Sequence, residues 1–164
     1  MLLSHKNLLI LVSDGVEYDE CVLLRNALER EGANVFLSAS CPYINIETIQ
    51  GGRRGPDLAI DLPFDSLPYE RFDAMIIPDG YLSIVDIVDN SAVIALIKDF
   101  HRQGAPIFAS GGIEQILANT IPVAECVLRR ESKIIEDFVD QIVCALVDLL
   151  PRALPLNVCP IVTQ

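Results

Sequence analysis

Ser110 is the residue whose type and setting come nearest to a nucleophile. It lies in Ala109-Ser110-Gly111-Gly112, where an apolar run turns into the next segment through small residues. A strand-to-helix elbow of this kind exposes a hydroxyl, and the amides at the following helix N-terminus can stabilise an oxyanion. The plainer reading is that Ser110 caps that helix. A serine hydroxyl reacts only beside a positioned base, usually histidine.

The chain has two histidines, His5 and His101. His5 precedes the first apolar run, and His101 ends a helix running antiparallel to the strands. Both therefore belong at the strands' amino ends, about 15 Å from an elbow at their carboxyl ends. Proton transfer needs roughly 3 Å. His101 instead suits the negative C-terminal end of its own helix. Glu17 is the remaining candidate base, because burial raises a carboxyl pKa into a useful range. Its alternative role is a structural hydrogen bond.

Asp14, Glu17, Asp79 and Glu114 fall in segments expected to share one mouth. Carboxylates so grouped can attract a hard cation or an amine, but a solvated acidic rim needs no ligand. Two histidines and the absence of C-x-x-C argue against a metal site, so no metal and no cofactor are expected. The five cysteines, Cys21, Cys41, Cys126, Cys144 and Cys159, are odd in number and form no disulfide framework. Cys21 and Cys144 fall on helices and read as core fillers. Cys41 and Cys159 are expected at the surface.

These residues need elements to hold them. Leu8–Val12 is a continuous aliphatic run, followed by the turn Ser13-Asp14-Gly15. Tyr18 to Glu31 reads as a helix closed by Gly32, and Asn34 to Ser38 as the next strand. This β-α-β opening implies a parallel pair. Between Pro42 and Pro68 the signal weakens, with turns at Gly51-Gly52 and Gly55-Pro56 and a short strand near Asp57 to Asp61. Ala74–Ile77 is a buried strand ending in Pro78-Asp79-Gly80. Asn90 or Ser91 caps a helix to Gln103, with Val93, Ile94, Ile97 and Phe100 inward. Pro106–Ala109 is a strand, and Glu114 to Ala118 a helix. Val123 to Leu128 is a further candidate strand. Ser132 to Leu150 is a helix with Ile135, Phe138, Val139, Ile142, Leu146 and Leu149 along one stripe. Residues 151–164 form an extended, proline-rich tail.

Strands alternating with helices predict one domain, 1–164: an α/β, three-layer, doubly wound, mostly parallel, flavodoxin-like sheet. Its ligand site belongs beyond the carboxyl ends of the strands. Ser13 to Glu17, Pro78 to Tyr81 and Ala109 to Gly112 should meet there, with Gly15, Asp79, Gly80, Gly111 and Gly112 lining the pocket.

The same segments resemble the DJ-1/PfpI (ThiJ/PfpI) family of the class I glutamine amidotransferase-like superfamily. Asp14-Gly15-Val16-Glu17 is similar to the end of that family's first strand and its buried acidic residue. Phe72-Asp-Ala-Met-Ile-Ile-Pro-Asp-Gly80 is similar to its Tyr-Asp-hydrophobic-Pro-Gly-Gly segment, with Asp79 in place of the first glycine. Arg102 to Gly112 resembles the strand leading to its nucleophile elbow. There the family carries cysteine. A frame set by Gly104 and Gly112 places Ser110 at that point, and one set by Pro106 places Gly111; neither supplies a thiol. The resemblance implies that Glu17 hydrogen-bonds the elbow residue. The stretch after Ala118 is shorter than the family's.

With 23 acidic and 12 basic side chains the net charge is −11, which repels phosphate backbones and argues against nucleic-acid binding. Arg53-Arg54 and Arg129-Arg130 are too small to change this. Apolar residues are 51% of the chain, yet no run reaches the roughly 18 needed to span a bilayer. The segment before Leu8 lacks the apolar core of a secretion signal. A cytoplasmic protein is expected. The apolar surplus and the shortened pocket wall point to a homodimer or larger oligomer. The expectation is a degenerate site binding a small molecule or a protein; its alternative is a hydrolase-like or glyoxalase/deglycase-like enzyme using Ser110 with Glu17.

Overall fold

The computed structural model describes residues 1–40, 42, 44–110, 127–129 and 135–148. In chain order its strands are β1 (Asn7–Val12), β2 (Val16–Glu17), β3 (Asn34–Ala39), β4 (Asn45–Ile46), β5 (Thr48–Gln50), β6 (Arg53–Arg54), β7 (Leu58–Ala59), β8 (Leu62–Pro63), β9 (Ala74–Ile77), β10 (Ile107–Ala109) and β11 (Val127–Arg129). The described α-helices are α1 (Tyr18–Arg30), α2 (Tyr81–Asp89), α3 (Ser91–Arg102) and α4 (Ile135–Asp148).

The central sheet has the order β11-β10-β9-β1-β3-β8 and every neighbouring pair in it is parallel. β1 lies in the middle, in register from Asn7↔Asn34 to Val12↔Ala39 on one side and from Leu8↔Ala74 on the other. Because strand side chains alternate, β1 divides its residues between two cores. Leu8, Ile10 and Val12 pack with Leu24 and Leu28 of α1 and Phe138 and Ile142 of α4. Leu9 and Leu11 pack with Val93, Ile97 and Phe100 of α3. Both faces are therefore covered, which is why the strand reads as an unbroken apolar run. Each such aliphatic side chain stabilises the fold by about 1.5–3 kcal/mol through burial.

Local signals place the helix ends. Gly32, at φ 93°, donates its N–H to Glu29 O and closes α1, a conformation glycine adopts at little cost. The Asn90 side-chain oxygen accepts from Ala92 N at 3.0 Å and Val93 N at 3.4 Å, capping α3. Leu96 joins its buried face, and Ile94 is partly buried against the same core.

α2 has no counterpart among the expected elements. It carries β-branched Ile84, Val85, Ile87 and Val88 and starts at Gly80 without a side-chain cap, so propensity gives it little support. Tertiary contacts hold it instead: Ile84 and Ile87 are buried, and the Ser83 hydroxyl accepts the Ser13 N–H at 2.8 Å. Strands β4 to β7 enter two small sheets, β4-β7 and β2-β5-β6, the second with β2 from the segment after β1, while β8 joins the edge of the central sheet. The expected strand near Asp57 to Asp61 is realised as Leu58–Ala59, antiparallel to Asn45–Ile46. Of the candidate strand Val123 to Leu128, Val127 and Leu128 fall in β11, which pairs parallel with β10; its earlier residues lie outside the described ones.

One assignment needs correction. Cys144 is exposed, not a core filler; it lies between Ile142, Val143 and Leu146 in sequence but off the stripe they form on α4. The expected helix at Glu114 to Ala118, the tail 151–164, and Cys41, Gly111, Gly112, Cys126, Leu149 and Cys159 lie outside the described residues. No helix among the described residues is long and apolar enough to cross a membrane.

Candidate functional site

From β1 the chain crosses to β3 on one side; β9 and β10 lie on the other. The switch point is thus between β1 and β9, where open α/β sheets form their ligand crevice. The segments after β1, β9 and β10 meet there.

The segment after β1 is held on three sides. Ser13 donates its hydroxyl to Asp86 Oδ2 at 3.1 Å. Gly15 donates its N–H to Glu47 O at 2.8 Å, and Glu47 returns its own N–H to Asp14 Oδ1 at 2.8 Å. The segment after β9 presses directly on it. Gly80 sits at φ 150°, and a Cβ there would stand 2.6 Å from Val16 Cα and 2.7 Å from Gly15 O. The Glu17 N–H donates to Asp79 O at 3.0 Å. Gly80 is therefore a contact between two backbones, which any side chain would force apart.

Ser110 follows β10, its N–H donating to Ile77 O at 3.0 Å. It is fully buried, and its hydroxyl donates to Glu20 Oε1. Among the described residues His5 is the one non-glycine with positive φ, so Ser110 has an ordinary backbone. The expected exposure of the Ser110 hydroxyl is corrected by its burial. The hydroxyl is turned inward and already engaged.

The carboxyl that meets Ser110 is Glu20, one helical turn beyond Glu17. Glu20 Oε1 also accepts the Asp79 N–H at 3.0 Å. Its signal in the sequence was its phase: Glu20, Leu24 and Leu28 recur every fourth residue and share the buried face of α1. A carboxylate on such a stripe is a buried one, and buried polar groups are hydrogen-bonded. Glu17 is the residue before α1 and is partly exposed. Burial raises its pKa, and the neighbouring charges of Asp79, Glu20 and Asp19 raise it further.

Gly15, Glu17, Asp79, Gly80 and Ser110 are thus brought together; Gly111 and Gly112 lie outside the described residues. Asp79 turns its carboxylate back, Oδ1 accepting the Gly80 N–H at 2.7 Å. Cys21, beside Glu20, is buried, and desolvation pushes its thiol up to about 12 against the opposing charge of Arg25. It is an inert thiol. His5 and His101 lie at the amino ends of β1 and β10, away from Ser110. Among the described residues no group of three or more His, Cys, Asp or Glu is arranged to hold a metal. An open depression of about 450 Å³, lined by Ser40, Asp86, Asp89, Asn90 and Ser91, lies beyond β3 rather than over Ser110.

Comparison with known proteins agrees with this fold. A profile of the DJ-1/PfpI family matches residues 6–126. A protein of Thermococcus kodakarensis named as a deglycase is 30% identical over 99 residues, covering 60% of this chain. The chain spans 56% of that relative's length. Drosophila melanogaster DJ-1beta superposes with a TM-score of 0.72 at 17% identity, covering 87% of this chain and 90% of that one. Oxidized DJ-1 of Toxoplasma gondii gives 0.69 at 18% identity, covering 86% and 90%. At these identities the structures speak for the fold.

Proposed function

Since the chain belongs to the DJ-1/PfpI family, we propose that it is a member that binds rather than converts, with a crevice for a small molecule or a partner protein and no nucleophilic thiol. The observation that carries this reading is the state of Ser110: fully buried, with its hydroxyl given to Glu20. A nucleophile must be reachable by its substrate and deprotonated by a base that is itself oriented. Here the hydroxyl is neither open nor beside a histidine. The nearest described thiol, Cys21, is held protonated by burial. Methylglyoxal consumption by the full chain tests the reading. The expected rate equals that of buffer, before and after iodoacetamide; turnover abolished by iodoacetamide overturns it.

One observation favours a second reading. Hydroxyl and carboxyl do meet, so Ser110 with Glu20 could serve a hydrolase-like or glyoxalase/deglycase-like enzyme, as the name of the Thermococcus relative suggests. Glu20 then takes the part expected of Glu17. Turnover that survives iodoacetamide and is lost in Ser110→Ala supports this reading against the first.

The proposal extends to assembly and place. The chain acts as one domain in the cytoplasm, where free thiols such as Cys21 and Cys144 persist. It self-associates through exposed apolar side chains such as Leu23 on α1 and Tyr81 and Leu82 at the start of α2. Sedimentation equilibrium should give a multiple of 18.0 kDa; a single-chain mass that persists at high concentration and salt contradicts it.

A further inference from the structure

Six described backbone donors around the mouth each have an acceptor. Ser13 N–H goes to Ser83 Oγ, Gly15 N–H to Glu47 O, Glu17 N–H to Asp79 O and Ser110 N–H to Ile77 O. Pro78 has no N–H. Asp79 N–H goes to Glu20 Oε1 and Gly80 N–H to Asp79 Oδ1. Five of these six amides are taken by main chain or by a buried side chain. Gly80 alone is taken by the end of a half-exposed side chain, from the residue just before it.

We infer that the Asp79 carboxylate is a built-in occupant of the crevice, closing the Gly80 amide to any incoming oxygen and turning the site away from anions and carbonyl groups toward ligands that donate hydrogen bonds. This rests on the reading of a binding crevice and names the ligand class that it accepts. Two effects act together. The carboxylate fills the donor, and its charge opposes any second anion. The close approach of Gly80 to Val16 keeps the amide fixed, so the blocked donor cannot swing to a new position. Asp79 is on this account a specificity-determining residue that acts by occupancy.

The test follows the Gly80 amide by nuclear magnetic resonance in the full chain, with acetate as the probe. In the native protein Gly80 should not respond to acetate. In Asp79→Ala its amide should shift on loss of the internal acceptor, and acetate should then bind there about tenfold or more tightly than in the native chain. Asp79→Asn keeps an oxygen able to accept the Gly80 N–H but removes the charge, so it should remain closed. The inference is overturned if Gly80 in Asp79→Ala keeps its native shift, if native and Asp79→Ala chains respond alike to acetate, or if Asp79→Asn opens as fully as Asp79→Ala. None of these readouts involves turnover, so a failure here is distinct from the discovery of catalysis at Ser110.

Discussion

At the amino end of the central sheet, Lys6 Nζ stands 3.0 Å from Asp73 Oδ1, and the other oxygen of Asp73 accepts the Asn7 N–H at 2.8 Å. At the carboxyl end, the charged neighbours that act on Glu17 are Asp79, Glu20 and Asp19, all acidic. The first arrangement tethers two strand starts and is adequately explained by folding. The second raises the cost of holding the loops together and lies beside the crevice at the β1/β9 switch point. Folding demands are met in the apolar middle of the sheet; the carboxyl end carries groups whose placement opposes stability, which is where function is expected to be stored.

This contrast can be broken at several points. The largest effect should come from the middle. Ile10→Ala removes a fully buried side chain from the central strand and should cost about 2–5 kcal/mol, read from the denaturant midpoint at unchanged slope. A loss below 1 kcal/mol, on the scale of a surface change, would mean that the middle is not what holds the fold. Gly80→Ala should follow, at about 1–3 kcal/mol, because its Cβ meets backbone and its φ strains any side chain. Glu20→Ala should cost about 1–3 kcal/mol by leaving the buried Ser110 hydroxyl and the Asp79 N–H without their acceptor. A neutral result there would remove Glu20 from the site.

The smallest effect should be electrostatic. The pKa of Glu17 is raised above 4.5 in the folded chain, so between that value and its folded pKa the native state holds more protons than the unfolded one. Stability then falls as pH rises through this window. Glu17→Gln should remove that loss, making the variant the more stable above the window and equal to the native chain below it. A stability gap that widens on acidification instead would give Glu17 the wrong sign.

Much of the fold was legible in the residues. β1, β9 and β10 are continuous apolar runs because both faces of the sheet are covered, and α1 and α3 carry their own end signals in Gly32 and Asn90. α2 was not legible. Its β-branched residues and uncapped start give no local signal, and it forms because Ile84, Ile87 and Ser83 find tertiary partners. The site was legible in outline: Gly15, Glu17, Asp79, Gly80 and Ser110 do converge. Which acid meets Ser110 was not read correctly, although the four-residue recurrence of Glu20, Leu24 and Leu28 contained it. That Asp79 would bond the amide after it depends on loop geometry that no spacing rule specifies.

The central claim is that Ser110 is a buried donor to Glu20 and not a nucleophile. Intact-mass spectrometry of the native chain after exposure to a serine-reactive fluorophosphonate tests it most directly. The account predicts no mass shift in either the native protein or Ser110→Ala. A single adduct on Ser110, absent from Ser110→Ala and reduced in Glu20→Gln, would contradict it.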